Sequence, residues 1–186
     1  MQSNGLRAPF GATIRRLGIP LTRYLVTVSV AHQTLTVWER TRHHGRAWWL
    51  ERLAHGRAST SRFGVGQVQD SNQTPLGLHR IAQKVGAGFP QGTVFRGRKS
   101  VGLTWRGMPE ATIAHRIFWL EGLEPQYNRG GNVDSFRRYI YIHGVGDETT
   151  LSRPASHGCI HLAAADIIPL HDWLPVGTLV WIHSHL

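Results

Sequence analysis

Apolar and polar residues alternate most cleanly between Tyr24 and Val37. Val26, Val28 and Val30 face one way and Thr27 and Ser29 the other; Ala31-His32-Gln33 intervenes, and Leu35 and Val37 resume the alternation with Thr34 and Thr36. A period of two on either side of a short break predicts a hairpin. A second alternation, Arg138 to His143, places Tyr139, Tyr141 and His143 on one face and Ile140 and Ile142 on the other, so His143 ends a strand and Gly144 turns out of it. Short apolar pieces at Trp48–Leu50, Leu76–Ile81 and Ile117–Leu123 have strand length, Pro75 and Gly77 turn the chain ahead of Leu78–Ile81, and Gly177–Ile182 reads as a closing strand.

Helical signals are few. Asp166 is placed to cap a short helix with Pro169 in its first turn, an apolar stripe of Ile167, Leu170 and Leu174, and Pro175 as its stop. Residues 1–22 carry Gly5, Pro9, Gly11, Gly18 and Pro20 and no sustained period, which predicts a loosely ordered lead-in before a single domain over 23–186. With 186 residues, 21 glycines and 9 prolines, the chain reads as one β-rich domain rich in turns.

Charge changes this picture little. Lys and Arg outnumber Asp and Glu by 21 to 11, giving +10. Such a balance draws a protein toward polyanions: nucleic acid, anionic lipid or acidic cell-wall polymers. The basic residues are scattered (Arg15-Arg16, Arg96 to Lys99, Arg137-Arg138), as on a solvated surface, so no specific nucleic-acid partner is expected. One cysteine excludes an internal disulfide and leaves a free thiol to explain. No run is long enough to span a membrane, and Met1–Thr22 has no apolar stretch of signal-peptide length, so a cytosolic protein and an exported one both remain open. The pairs His43-His44 and His183-Ser184-His185 lack Cys or carboxylate partners at ligand spacing, and no metal is expected. Trp48-Trp49, Trp105 and Trp119 read as core or cleft packing rather than sugar platforms.

The free thiol lies in the informative segment, Ser156-His157-Gly158-Cys159-Ile160-His161, with Ile142-His143-Gly144 upstream. A thiolate attacks carbonyls, and a nearby imidazole can take its proton. A tight turn at Gly158 would let neighbouring N–H groups converge beside the sulfur as an oxyanion hole, with His157 on its rim. His143, sixteen residues upstream on a separate strand, can be fixed independently of that turn and is the better general base for Cys159.

These residues resemble the L,D-transpeptidase catalytic domain family, also called YkuD-type, whose members carry His-Gly or His-Ser, a loop of about this length, and Ser/Thr-His-Gly-Cys before an apolar residue. The resemblance extends through Thr74-Pro75-Leu76-Gly77 and 129–142 and covers roughly Tyr24 to His183. It implies a mainly β fold, a sandwich or partly closed barrel with one or two short helices. It also implies a cofactor-free reaction at a cleft: Cys159 attacks the bond between meso-diaminopimelate and D-alanine in a tetrapeptide stem, and a thioester is resolved by an acceptor amine. Water as acceptor would make a carboxypeptidase or endopeptidase, and an idle wall- or polyanion-binding module is a third reading. By the same resemblance, His157, Gly158 and Gly144 serve the oxyanion or orient the base, and Ser156, His161 and Tyr141 contact substrate. Peptidoglycan stem peptides are the expected partners, carbapenems the expected acylating agents, and the periplasm or cell envelope the expected place. Two positions depart from the pattern: His161 stands where Gram-negative members usually have Arg, and Ser152 where they often have Gly.

Overall fold

In a computed structural model of the chain, which describes residues 4–43 and 47–184, the alternating segment at the start of the domain is the expected hairpin: β1 (Tyr24–Ser29) pairs antiparallel with β2 (Thr34–His43). All six residues of β1 are buried, so both of its faces are covered. Val26 and Val28 enter the main core, and Leu25 packs under an N-terminal helix. The remaining strands are β3 (Ala47–Ser59), β4 (Gly77–Val85), β5 (Thr93–Arg96), β6 (Lys99–Leu103), β7 (Ala114–Gly122), β8 (Tyr141–Gly144), β9 (Ile160–Leu162) and β10 (Leu179–His183). They run in the order β4-β10-β1-β2-β3-β9-β8-β7, and β4 pairs back onto β7, which closes an eight-stranded barrel; β5 and β6 form an attached hairpin. Closure removes every free edge from these eight strands. The pairs β1–β10 and β8–β9 are parallel, the others antiparallel.

The main core takes residues from all eight barrel strands and adds Ile167, Leu170 and Leu174 of α2 (Ala164–Trp173). That is the apolar stripe read from the sequence, but the helix starts earlier than expected. Its cap is Ala163, Asp166 lies inside the first turn, and the free N–H of Ala164 is satisfied by Glu148 Oε1 at 2.7 Å. A side chain distant in sequence thus replaces the local cap, which moves Pro169 into the helix interior.

The lead-in of 1–22 is corrected more substantially, since it contains α1 (Asn4–Leu17), with Pro9 inside it. Phe10, Ile14 and Leu17, at i, i+4 and i+7, lie on Leu25, Leu78, Leu123, Leu179 and Trp181 of the barrel wall. Gly18, at φ 62°, ends the helix: its N–H bonds Arg15 O at 3.2 Å and that of Ile19 bonds Ile14 O at 3.2 Å, the paired bonds of a Schellman stop. Tertiary burial outweighs the helix-weakening residues Gly5, Pro9 and Gly11. Phe10 meets Trp181 edge-on at 5.8 Å. Phe10→Ala should therefore destabilise the protein by about 3 kcal/mol in urea unfolding, the usual size for a buried phenylalanine. A change below about 1 kcal/mol would show that α1 is not docked on the barrel.

Candidate active site

Adjacent parallel strands build the candidate site. In the β8–β9 pairing, Ile142 lies opposite Ile160 and His143 opposite His161. Ile142 and Ile160 point into the core, so His143 and His161 share the other face, their ring centroids 4.8 Å apart. One residue before β9, Cys159 packs against the buried cluster of Phe95, Ile117, Trp119 and Tyr141. Its Sγ accepts the Tyr141 N–H at 3.4 Å and donates to Tyr139 O at 3.5 Å. Tyr139 itself leaves the expected alternation: at φ 56° it turns out of the strand and is 53% exposed, while Tyr141 and His143 keep the predicted face.

The His143 ring is 2% exposed, and its Nδ1 lies 3.0 Å from Gly144 O. A carbonyl can only accept, so Nδ1 carries the proton and Nε2 presents the lone pair. Burial holds His143 down to about pKa 4. Burial likewise pushes the Cys159 thiol up to about 11, against the lowering influence of the Tyr141 N–H and the Arg138 guanidinium. The resting pair is thus a neutral thiol and a neutral imidazole. Gly144 has a steric role of its own: a Cβ there would come within 2.8 Å of Ala114 O and 2.7 Å of the His115 ring.

The turn before Cys159 is held from several sides. Gly158, at φ 117°, is in a conformation that favours glycine. Ser156 Oγ donates to Cys159 O at 2.6 Å and accepts the Gly158 N–H at 3.2 Å, and Thr74 Oγ1 donates to Gly158 O at 3.1 Å. Ser156 was expected to contact substrate; it is buried and its hydroxyl is committed to this turn, so it serves as a brace instead. Arg138 ties the neighbouring loop down by donating to the carbonyls of Gly66 (3.2 Å), Gln67 (2.8 Å) and Gln73 (2.6 Å).

Cys159, His143, His157 and His161 line one cavity of about 330 Å³, together with Glu110 and Asp147. His157 is exposed at its rim, where its Nε2 accepts from Arg62 at 2.7 Å. Nδ1 of His161 is buried without a hydrogen-bond partner, and burial, reinforced by His143 and His157, holds this ring down to about pKa 3. The Tyr141 ring lies 6.4 Å from that of His143, and its hydroxyl accepts from Arg98 at 3.2 Å.

A model of the L,D-transpeptidase catalytic domain matches residues 23–182. The chain belongs to the L,D-transpeptidase family. Solved structures share the fold. Bd1075 of Bdellovibrio bacteriovorus is 16% identical at a TM-score of 0.56, covering 89% of this chain and 49% of its own. The helical cell shape determining protein Pgp2 of Campylobacter jejuni is 14% identical at 0.53, covering 89% and 48%. The L,D-transpeptidase LdtMt1, solved in complex with imipenem, is 17% identical at 0.50, covering 87% and 59%. The chain therefore spans about half to three-fifths of the length of these structures. No curated protein matches it.

Within this L,D-transpeptidase domain, the sequence reading missed Arg98, Glu110 and Asp147 near the cysteine and the bracing roles of Thr74 and Arg138. A Gly97-Arg98 pair between Arg96 and Lys99 was a usable hairpin signal; Glu110 and Asp147 reach the cleft from loops and left none. Among the described residues no group of His, Cys, Asp and Glu is arranged to hold a metal, and no helix is long and apolar enough to cross a membrane. His44 and His185 lie outside the described residues, and so do the side chains of His43, Trp48 and Trp49. Trp119 is core, stacked on Phe136 at 4.0 Å, whereas Trp105 is exposed.

Proposed function

We propose that this domain catalyses acyl transfer on peptidoglycan stem peptides through a thioester on Cys159, with His143 carrying the proton. The observation behind this reading is the joining of two strand ends. Cys159 and His143 face one cleft from neighbouring parallel strands, and the Gly144 carbonyl fixes the tautomer that leaves His143 Nε2 basic.

Because thiol and imidazole are both neutral at rest, attack and proton transfer proceed together. Sγ bonds to the carbonyl carbon between meso-diaminopimelate and D-alanine as its proton passes to His143. The C–N bond then breaks, and His143 returns the proton to the departing D-alanine amine. In the second half the acceptor's amine attacks the thioester, the C–S bond breaks, a new amide forms, and the amine's proton returns through His143 to sulfur. Since the Gly158 N–H is engaged by Ser156, the N–H groups of His157 and Cys159 are the oxyanion donors we assign to the turn. A peptidoglycan substrate places the protein at the cell envelope.

Intact mass after exposure to imipenem, the ligand solved on LdtMt1, tests the reading. The wild type should gain one adduct and Cys159→Ala none. An unmodified wild type would instead favour a catalytically idle wall-binding module.

A further inference from the structure

Cys159 stands between an acidic cavity and an aromatic cluster that an arginine covers, although the protein as a whole is strongly basic. On the cleft flank the charged side chains are Glu110 and Asp147, and the other polar rings are those of His143, His157 and His161. Arg62 is bonded to His157 and Arg153 acts on Asp147, but neither guanidinium lines the cavity. His161 adds no charge here: it is an imidazole kept neutral, with its Nδ1 buried and unpartnered. A carboxylate entering here would meet two carboxylates and no cation.

Cys159 also packs against the cluster of Phe95, Ile117, Trp119 and Tyr141, and Arg98 lies over the aromatic side of that cluster. Its Cζ lies 4.5 Å from the Trp119 ring centroid and 5.4 Å from that of Tyr139, and Nη1 donates to the Tyr141 hydroxyl. Arg98 takes part in no ion pair among the described residues. It sits at the tip of the β5–β6 hairpin in a two-residue loop with Gly97, both at positive φ (52° and 67°), the mirror-image turn in which Asn or Gly is usual at the second position. An arginine held in the left-handed region costs about 1 kcal/mol or more, a strain that points to a use for the side chain. Arg138 is also near the sulfur, but three loop carbonyls occupy it.

Resting on the acyl-transfer reading above, we propose that Arg98 binds the terminal carboxylate of the donor stem on the aromatic side of Cys159, and that the Glu110/Asp147 side admits the acyl acceptor as an ammonium, which gives one proton to solvent before the neutral amine attacks the thioester. A guanidinium stacked on aromatic rings keeps its forked N–H edge free for a carboxylate, and the two acidic side chains raise the local concentration of a cationic amine.

The test compares Cys159 acylation by a tetrapeptide ending in a free carboxylate with that by the same peptide ending in an amide, in wild type, Arg98→Gln and Arg98→Lys. Wild type should prefer the carboxylate by roughly tenfold in kcat/KM, one charge-assisted contact. Arg98→Gln should abolish that preference with the amide peptide unaffected, and Arg98→Lys should keep part of it. In a parallel arm, Glu110→Gln should raise the KM of an amine acceptor roughly threefold while thioester hydrolysis is unchanged. A preference that survives Arg98→Gln, or equal losses on both peptides, overturns the assignment of the donor flank; an unchanged acceptor KM overturns that of the acceptor flank. Imipenem labelling of the same preparations separates the levels: an adduct with no change in preference refutes this inference alone, and an absent adduct in wild type refutes the acyl-transfer reading with it.

Discussion

His143→Ala will slow acylation of Cys159 by imipenem by roughly 10²–10⁴-fold, and His157→Ala will change it by less than about threefold. The size follows from the resting protonation state. With the thiol pushed up to about 11, only about one molecule in 10⁴ carries a thiolate at neutral pH, so an enzyme that waited for free thiolate would be slow. A neutral imidazole able to take the proton during attack avoids that wait, and His143 stays neutral well below neutral pH. The wild-type rate should accordingly be flat between about pH 6.5 and 9, while the residual rate of His143→Ala should rise about tenfold per pH unit, since it depends on thiolate alone. His157 sits on the rim with its Nε2 engaged by Arg62, so its removal disturbs the turn without removing a base. Stopped-flow acylation across this pH range decides the matter: a wild type that itself climbs tenfold per unit, or equal losses in the two variants, would remove His143 from the role.

The sequence made the site legible where local pattern and chemistry coincide. The alternation of Ile140 and Ile142 with Tyr141 and His143 survives in the barrel wall because one face must be buried, and the same alternation sets His143 beside the turn that carries Cys159. The orienting carbonyl of Gly144 follows from the same strand end. Pairing between distant segments was not legible. Closure of the barrel through β4 and β7 joins His79 to Gly122 across a long stretch of chain, and neither segment carries a local mark of it. The helix over Asn4–Leu17 was hidden by Pro9 and Gly11, because its stability comes from barrel residues such as Leu25 and Trp181 rather than from its own propensity. Ser156 was expected to contact substrate; only the folded turn shows its hydroxyl engaged by Cys159 O and the Gly158 N–H. The joining of Glu110 and Asp147 in the cavity of Cys159 was equally invisible, since they are distant in sequence and reach it from separate loops.

Mild acid should begin to destabilise this protein well above the pH at which its carboxylates titrate. His79, His143 and His171 are buried, and burial holds each of them down to about 4. His79 lies between Gly77 O at 3.1 Å and Ser135 Oγ at 2.9 Å. His171 stacks on Phe118 at 5.3 Å with neither ring nitrogen hydrogen-bonded; Lys84 and Arg116 oppose its protonation, and Asp172 at 3.8 Å compensates only in part. An unfolded histidine titrates near 6.5, so between about 6.5 and 4 the unfolded chain binds protons that the folded protein refuses. The stabilising contribution is therefore complete above about pH 6.5 and is lost as the pH falls toward 4. At 1.36 kcal/mol per unit, each ring accounts for up to roughly 3 kcal/mol, and three together rival the roughly 5–15 kcal/mol that stabilises a domain. Asp134 and Asp147, held below the ordinary carboxylate range, add their losses only at lower pH. Urea midpoints followed by circular dichroism should hold steady from about pH 8 to 7 and then drop steeply, with unfolding without denaturant near pH 4 to 5. Replacing His171 by phenylalanine keeps the stack on Phe118 and removes one titrating ring, so His171→Phe should lessen the slope and move the acid transition downward. Midpoints that stay constant from about pH 7.5 to 5, or a His171→Phe variant with the wild-type slope, would mean that these buried rings take up no protons on unfolding in this range.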